Sequence, residues 1–174
     1  MPASPLKIRR ALLSDAKLLA ELGAQTFAET FSDENTAEDM TAYLADSFSV
    51  EKLTAELTDP LSTFLVAEVD GLASGYAKIS STVAPLTVAG EKPIELVRLY
   101  VLQRWLGRGV GHALMQRCFD EASEMGFQTI WLGVWERNLR AQAFYRKWNF
   151  REVGEHIFQL GSDAQRDLLM QREL

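Results

Sequence analysis

The spacing of glycines after one apolar segment is the feature that most restricts how this chain can fold. Residues 94–101 have the pattern of a strand, and Gly107, Gly109 and Gly111 then precede the helical pattern His112-Ala113-Leu114. A strand, glycines and a helix start together present free backbone N–H groups and the positive end of a helix dipole to an anion. Glycine also lets the backbone approach such an anion without obstruction by a Cβ atom. The segment therefore predicts a loop that binds a diphosphate.

The same spacing excludes two common nucleotide-binding loops. The dinucleotide fingerprint needs G-x-G-x-x-G, whereas the three glycines here are spaced G-x-G-x-G, and the Gly-Lys-Ser/Thr of a Walker loop is missing. Arg104 and Arg108 add positive charge beside the loop in a chain whose net charge is −6. A glycine-rich turn without a ligand is the alternative, and three alternating glycines before an amphipathic helix disfavour it.

Hydrophobic periodicity along the chain predicts a sheet covered by helices. Strands are expected at residues 6–9, 63–69, 72–80, 94–101, 129–134, 151–160 and 165–173. Helices are expected at residues 16–27, 36–46, 109–125 and 139–148 and after Ser49, with Ser14, Thr36, Ser49 and Asn138 as N-caps. This order predicts an α/β or α+β fold with one mixed sheet, and 174 residues suit a single domain.

The composition restricts the kinds of partner that the chain can bind and the cellular compartment that suits it. A net charge of −6 and a pI of about 5.0 disfavour binding to nucleic acid and are compatible with a cationic small substrate, or with solubility alone. No apolar run reaches membrane-spanning length, so no membrane association is expected. Cys118 is the single cysteine, which suits a reducing cytoplasm, and we expect it to pack rather than react. His112 and His156 have no cysteine or histidine near them in sequence, so no metal site is expected.

A second segment, NLRAQAFYRKWNF at residues 138–150, carries a candidate proton donor. If Asn138 caps a helix, Ala141 and Tyr145 lie on one side of it, four residues apart. A thiol and a phenol have unperturbed pKa values of about 8.5 and 10, so a tyrosine can return a proton to a thiolate at little cost. The alternative is that Tyr145 packs in the core beside Phe144.

Together the two segments resemble the GCN5-related N-acetyltransferase superfamily, abbreviated GNAT. Its acyl-CoA signature is Q/R-x-x-G-x-G/A. Arg104 to Gly109 satisfies that formula, but Leu106 to Gly111 is the register we favour, because Gly111 then directly precedes the helix. In this register leucine stands where the superfamily usually has glutamine or arginine.

The resemblance implies the fold, the cofactor and the residues that hold it. The GNAT fold is one mixed, mostly antiparallel sheet of six to seven strands, splayed at its centre and flanked by about four to five helices. Acetyl-CoA is the implied co-substrate, Tyr145 is the implied general acid, and no metal is implied. A homodimer is the implied assembly, because dimers are common in this superfamily. The implied cofactor-binding residues are Leu99, Tyr100, Val101, Gly107, Arg108, Gly109, Val110, Gly111, His112, Asn138, Ala141, Tyr145 and Lys147.

Glu95 is the candidate proton acceptor, because an amine must lose a proton before it attacks. At neutral pH deprotonating an alkylammonium with a pKa of about 10.4 costs roughly 4 to 5 kcal/mol. Strand alternation predicts that Glu95 shares a face with Leu99 and Val101, and its position resembles that of the base glutamate in some superfamily members. A strand-end glutamate that reaches solvent, or a water relay in its place, is the alternative.

A narrower resemblance, to PaiA-type polyamine acetyltransferases, covers residues 25–31, 35–44, 130–136 and 161–170. It implies acetyl transfer to a primary amine of spermidine or spermine. The acidic residues of the acceptor segment suit a polyamine, and its aromatic rings can contact ammonium groups or methylenes. The substrate candidates are Phe31, Glu34 and Tyr43. Acetylation of a protein N-terminus or lysine, and a non-catalytic acetyl-CoA-binding regulator, remain open alternatives.

Overall fold

A computed structural model describes residues 5–174 and arranges seven strands in one mixed sheet. The strands are β1 (Leu6–Arg10), β2 (Ser62–Val69), β3 (Leu72–Ser80), β4 (Pro93–Val101), β5 (Thr129–Trp135), β6 (Arg151–Leu160) and β7 (Asp163–Glu173). Their order across the sheet is β1-β2-β3-β4-β5-β7-β6, and every neighbouring pair is antiparallel except β4 and β5. The predicted mixed, mostly antiparallel sheet is confirmed.

Five α-helices cover the sheet, as the resemblance implied. They are α1 (Ala16–Phe31), α2 (Ala37–Ser47), α3 (Val50–Thr58), α4 (Val110–Glu124) and α5 (Leu139–Lys147). Thr36 and Ser49 cap α2 and α3 as predicted, accepting hydrogen bonds from the N–H groups of Asp39 and Lys52 at 3.1 and 3.2 Å. Ser14 was the wrong cap for α1, because it lies in a 3-10 turn and Asp15 precedes the helix.

The two faces of the sheet bury different cores. On one face α4 packs Leu114, Met115 and Cys118 against strand residues that include Ile94 and Ile130. On the other face α1, α2 and α3 cover a second cluster. Cys118 has no exposed surface, and burial raises the pKa of its thiol to about 12, so the prediction that it packs is confirmed.

A gap opens between β4 and β5 in the middle of the sheet. These strands pair only from Pro93 opposite Thr129 to Glu95 opposite Trp131. Beyond that point β4 stays paired with β3 up to Val101, while β5 stays paired with β7 up to Trp135. The predicted splay is therefore confirmed, and one side of each strand lacks a strand partner along the gap.

A β-bulge in β4 changes which side chains share a face. Ile79 pairs with Leu96 and Lys78 pairs with Arg98, so Val97 is an extra residue between them. An extra residue reverses the alternation beyond it. Leu99 and Val101 pack against the core under α4, whereas Glu95, opposite Ser80, lies on the face of Arg98 and Tyr100. The expectation that Glu95 shares a face with Leu99 and Val101 was wrong for this reason.

Candidate active site

The loop before α4 has the backbone shape that the glycine spacing predicted. Gly107 and Gly109 have φ values of 71° and 84°, in the left-handed region that disfavours a side chain. A Cβ atom at either position would meet no atom within 4 Å, so the loop surface is open. Gly111 differs, because its φ is not positive and a Cβ there would make ordinary contacts with Phe144 at 3.7 Å and Val101 at 3.8 Å. Conformation therefore requires glycine at two of the three positions.

The first turn of α4 presents unpaired N–H groups at this open surface. Gly109 is the N-cap, and the first hydrogen bond of the helix runs from the Ala113 N–H to the Gly109 carbonyl at 3.0 Å. The N–H groups of Val110, Gly111 and His112 therefore have no partner within the helix. Together with the helix dipole they fit a bound pyrophosphate.

Two side chains of the loop region, those of Arg108 and His112, lie against tryptophan rings. The Arg108 guanidinium lies 5.5 Å from the centre of the Trp105 ring, and the His112 ring lies 4.6 Å from that of Trp148. The His112 side chain thus packs on an aromatic ring, which leaves its backbone N–H as the group that can meet a phosphate. Arg104 lies in the last turn of the 3-10 helix Gln103–Trp105 that follows β4.

Two side chains attach α5 to the end of β5. Asn138 caps the helix as predicted, since its side chain accepts a hydrogen bond from the Ala141 N–H at 3.1 Å. Gln142 is buried and donates to the carbonyls of Trp135 and Glu136 at 3.2 and 2.8 Å. These contacts determine where Tyr145, one turn further on, lies relative to the sheet. Lys147 is exposed in the last turn of the helix.

Tyr145 is packed and also keeps its proton. Its ring centroid lies 5.6 Å from that of Phe144 and 5.7 Å from that of Phe150, and it is partly buried against the core that contains Cys118. Burial, with a smaller contribution from Cys118, raises the pKa of its hydroxyl above the ordinary value. The packing beside Phe144, which was the alternative to the general-acid role, thus coexists with a hydroxyl that is protonated at neutral pH.

A cleft of about 400 Å³ adjoins the open end of the gap. It lies between the end of α1, the end of β4 and the start of α5, and Val101, Leu106, Trp135 and Asn138 help to line it. Glu34 is also in its wall, where it forms an ion pair with Arg137 at 3.0 Å between Oε2 and Nη1. The structure therefore brings one predicted substrate residue and two predicted cofactor residues to the same cleft.

The other two predicted substrate residues belong to an aromatic cluster. Phe27 stacks on Phe31 and Tyr43 with centroid distances of 4.3 and 4.6 Å, and Phe31 lies 5.2 Å from Trp135 of β5. The acidic residues near them are spread apart. Asp39, for example, accepts a hydrogen bond from the backbone N–H of Ser162 at 3.1 Å and so holds the turn between β6 and β7.

Glu95 lies where the gap between β4 and β5 closes. It is the last β4 residue that pairs with β5, opposite Trp131, and its Oε2 accepts a hydrogen bond from the Thr82 hydroxyl at 2.7 Å. It is partly exposed, on the face covered by α1 to α3. Its position beside the gap and its solvent access are both compatible with proton transfer to water.

Sequence reasoning missed a buried charge cluster on the same face. Glu56 of α3 accepts hydrogen bonds from Lys78 at 3.0 Å and from Arg98 at 2.7 Å, and each of the three side chains is less than 15% exposed. Burial opposes ionisation of Glu56, but the two cations hold its pKa below the ordinary value. The available signal was a cation among apolar residues in each of two strands, β3 and β4.

Residues 18–150 match the family described as Acetyltransferase (GNAT) family. The chain belongs to this family. The GNAT chain is 32% identical over 169 residues to an uncharacterized N-acetyltransferase from the pepI 3' region of Lactobacillus delbrueckii subsp. lactis, covering 97% of this chain and 98% of that one. It is 33% identical over 162 residues to an uncharacterized N-acetyltransferase of Mycobacterium tuberculosis, covering 93% and 99%.

Solved structures share the fold of this GNAT chain. The PaiA N-acetyltransferase of Thermoplasma acidophilum in complex with coenzyme A superposes with a TM-score of 0.79 at 20% identity, over 98% of this chain and 99% of that one. A putative acetyltransferase of Salmonella typhimurium with acetyl-CoA gives a TM-score of 0.66 at 20% identity, over 97% and 94%. Family membership makes this chain an N-acetyltransferase with acetyl-CoA as its acetyl donor.

Two further properties bear on the kind of site. Among residues 5–174, no helix combines the length and the apolarity needed to cross a membrane. Within the same range, no group of three or more histidine, cysteine, aspartate or glutamate side chains is arranged to hold a metal ion.

Proposed function

We propose that this GNAT enzyme acetylates a primary amine of a polyamine by direct attack on acetyl-CoA, with Tyr145 as general acid. The observation that carries the proposal is the position of α5 beside the gap. Gln142 and Asn138 hold this helix at the end of β5, while β4 forms the other side of the gap. On this proposal a thioester in the gap extends from the glycine loop toward Tyr145.

The residues predicted to bind acetyl-CoA form three groups around this gap. Backbone groups of Leu99, Tyr100 and Val101 face it from β4, since β3 pairs with the other edge of that strand. The loop from Gly107 to His112 supplies N–H groups and the charge of Arg108 for the pyrophosphate. Asn138, Ala141, Tyr145 and Lys147 are proposed to contact the cofactor from α5. Acetyl-CoA supplies an activated acyl group and a thiolate leaving group.

Tyr145 is proposed to donate its proton to the departing thiolate. Its pKa is raised by burial, so the hydroxyl is protonated over the physiological pH range. The same loss of water raises the pKa of a thiol held beside it, which keeps the proton transfer between the two groups nearly balanced.

Glu95 is proposed to accept the proton that the ammonium group loses, directly or through water. It lies at the closed end of the gap, on the face that α1 to α3 cover. The acceptor amine approaches from this face, because α4 and its core fill the other. The Thr82 hydroxyl donates a hydrogen bond to Glu95 and so restricts the orientation of the carboxylate that is proposed to accept the proton.

The choice of a polyamine rests on the chemistry of the acceptor side. Phe31 presents its ring beside Trp135, Tyr43 belongs to the same aromatic cluster through Phe27, and Glu34 lies in the adjoining cleft wall. Rings suit methylenes and cations, and a carboxylate suits an ammonium group. The resemblance to PaiA-type enzymes supports the same choice.

One domain over residues 1–174, a cytoplasmic location and a homodimer remain predictions.

The test is a thiol-release assay with acetyl-CoA and an amine panel. Spermidine and spermine are expected to give saturable release that exceeds release with lysine peptides or with buffer alone. Release with peptides alone would indicate a protein acetyltransferase. Saturable binding of acetyl-CoA without release for any acceptor would indicate a non-catalytic regulator.

A further inference from the structure

Solvent reaches the centre of the sheet at Gly133. This glycine lies in the middle of β5, between two other strands, and is nevertheless exposed to solvent. Ile130, Leu132 and Val134 pack against the core under α4, so Trp131, Gly133 and Trp135 point to the opposite face. Phe31 of α1 contacts Trp135 on that face. We call the exposed strip at Gly133, bordered on this face by Trp131, Trp135 and β7, the groove.

Asp167 of β7 lies at the wall of this groove. It pairs with Trp135 on one side and with His156 of β6 on the other. A Cβ atom at Gly133 would lie 3.4 Å from Asp167 Oδ2 and 3.0 Å from His156 Cε1. Because residue 133 is glycine, the space above β5 at this position is bordered by the side chains of Asp167 and His156.

The Asp167 carboxylate has no hydrogen-bond partner for its buried oxygen. Oδ1 is buried without any partner in residues 5–174, and Oδ2 lies 4.0 Å from His156 Nε2, beyond hydrogen-bond distance. The side chain is only 14% exposed, and burial raises its pKa to about 6 despite the opposing effect of His156. A carboxylate in this state is stabilised by any cation that reaches it.

A second polar group on the same face is also unsatisfied. Trp131 is only 5% exposed, and its Nε1–H has no acceptor within the described chain. Trp131 and Asp167 lie on either side of the exposed Gly133 along this face. Buried polar atoms are rarely left without partners unless a ligand or water supplies them. Two of them beside one groove indicate a built site for a polar ligand.

We propose that Asp167 binds a second ammonium group of the acceptor, so that the enzyme selects diamines and polyamines over monoamines. This inference rests on the proposed function. The thioester is placed between β4 and β5, whereas Asp167 lies on β7, one strand beyond. The carboxylate therefore lies away from the nitrogen that attacks the thioester, and it can bind a second nitrogen further along the same acceptor. Trp135 is the β5 partner of Asp167 and contacts Phe31, so aromatic rings adjoin the carboxylate and suit the methylenes that join the two nitrogens.

Putrescine and butylamine are a matched pair of acceptors, because they share a four-carbon chain and differ by one ammonium group. Their kcat/KM ratio is measured for the wild type, Asp167→Asn and Asp167→Glu. Asp167→Asn is expected to lower the putrescine-to-butylamine ratio by about 10- to 100-fold, the value of a lost charged hydrogen bond. Asp167→Glu, which keeps the charge, is expected to retain part of the preference. Asp163→Asn, an exposed aspartate on the same strand, is the control and keeps the wild-type ratio.

The outcomes separate this inference from the proposed function. A wild type that acetylates putrescine, with the same ratio in Asp167→Asn, overturns the inference and leaves the proposed function standing. A wild type that acetylates no amine overturns both. Melting curves test a merely structural role, because a binding carboxylate predicts that Asp167→Asn melts at or above the wild-type temperature. A lower melting temperature together with equal losses on both amines overturns the inference as well.

Discussion

The side-chain oxygen of Asn138 accepts a hydrogen bond from the backbone N–H of Ala141 at 3.1 Å, and this contact begins the helix that carries Tyr145. The same helix is tied to β5 through Gln142. A short helix of nine residues depends on such contacts, because few of its residues are buried. Asn138 therefore affects both the stability of α5 and the placement of the proposed general acid.

Asn138→Ala is expected to lower the free energy of unfolding by about 1 kcal/mol and to lower kcat, since the cap of α5 is lost. Ser49→Ala is the matched control, because Ser49 caps α3 through a similar bond at 3.2 Å. It should cost similar stability and leave kcat at the wild-type value. Thermal melting and steady-state kinetics measure both effects, and equal kcat losses in the two variants would contradict the placement role.

Gly109→Ala is expected to raise the KM for acetyl-CoA, because a methyl group would project from the open loop surface where the diphosphate is proposed to bind. The left-handed backbone also costs about 1 kcal/mol once a Cβ is present. Gly71→Ala is the control, since its φ is 75° and a Cβ there also meets nothing within 4 Å. It should lose similar stability with an unchanged KM. A KM unchanged in Gly109→Ala would argue against the loop as the cofactor site.

Tyr145→Phe is expected to lower kcat by about 100-fold, the usual contribution of a general acid, with little change in the affinity for acetyl-CoA. The ring stays packed against Phe144 and Phe150, so the melting temperature should not fall. Steady-state kinetics and a binding titration check the two parts. An unchanged kcat would remove Tyr145 from the proposed mechanism.

Glu95→Gln is expected to lower kcat/KM for spermidine at neutral pH by about 100-fold, because the ammonium group loses its proton acceptor. The deficit should shrink toward pH 10, where more of the amine is already neutral. Glu152→Gln, an exposed glutamate on β6, is the control and should match the wild type. A pH–rate profile measures the effect, and a deficit that stays constant with pH would count against the base role.

Asp167 is expected to make the protein less stable as the pH rises. Its folded-state pKa of about 6 exceeds the ordinary value of 3.8, so between these values the folded state binds the proton more readily. The free energy of unfolding should therefore fall from about pH 4 to pH 6 and then stay lower, by about 1–2 kcal/mol after allowance for partial solvent access. Asp167→Asn should remove this loss, so that urea denaturation shows a more stable variant at pH 7.5. Parallel pH curves for the two proteins would contradict it.

The elements and three of the four predicted caps followed from the sequence, because they depend on neighbours along the chain. Gly107 and Gly109 can take positive φ values because glycine has no side chain to clash with the backbone. Thr36, Ser49 and Asn138 bond to N–H groups three residues away. The gap between β4 and β5 was predicted through the family resemblance, which carries tertiary information that periodicity does not.

The errors and omissions have a non-local cause. Val97 is an extra residue only because of how β4 pairs with β3, and this pairing moved Glu95 to the other face. Two acidic residues near α2 also have distant partners that sequence reasoning omitted: Glu34 bonds to Arg137 and Asp39 to Ser162, both more than a hundred residues away. No pattern within one segment specifies such partners.

The sequence by itself determined the family, the helix starts and the glycine loop, because each of these depends on residue type at short and regular spacing. Only the tertiary structure decided which face Glu95 occupies and which carboxylate is left without a partner. Asp167 is an unremarkable residue in a strand until Gly133, His156 and Trp135 surround it. Burial and hydrogen-bond satisfaction are properties of the assembled sheet, and they are what singles out this carboxylate.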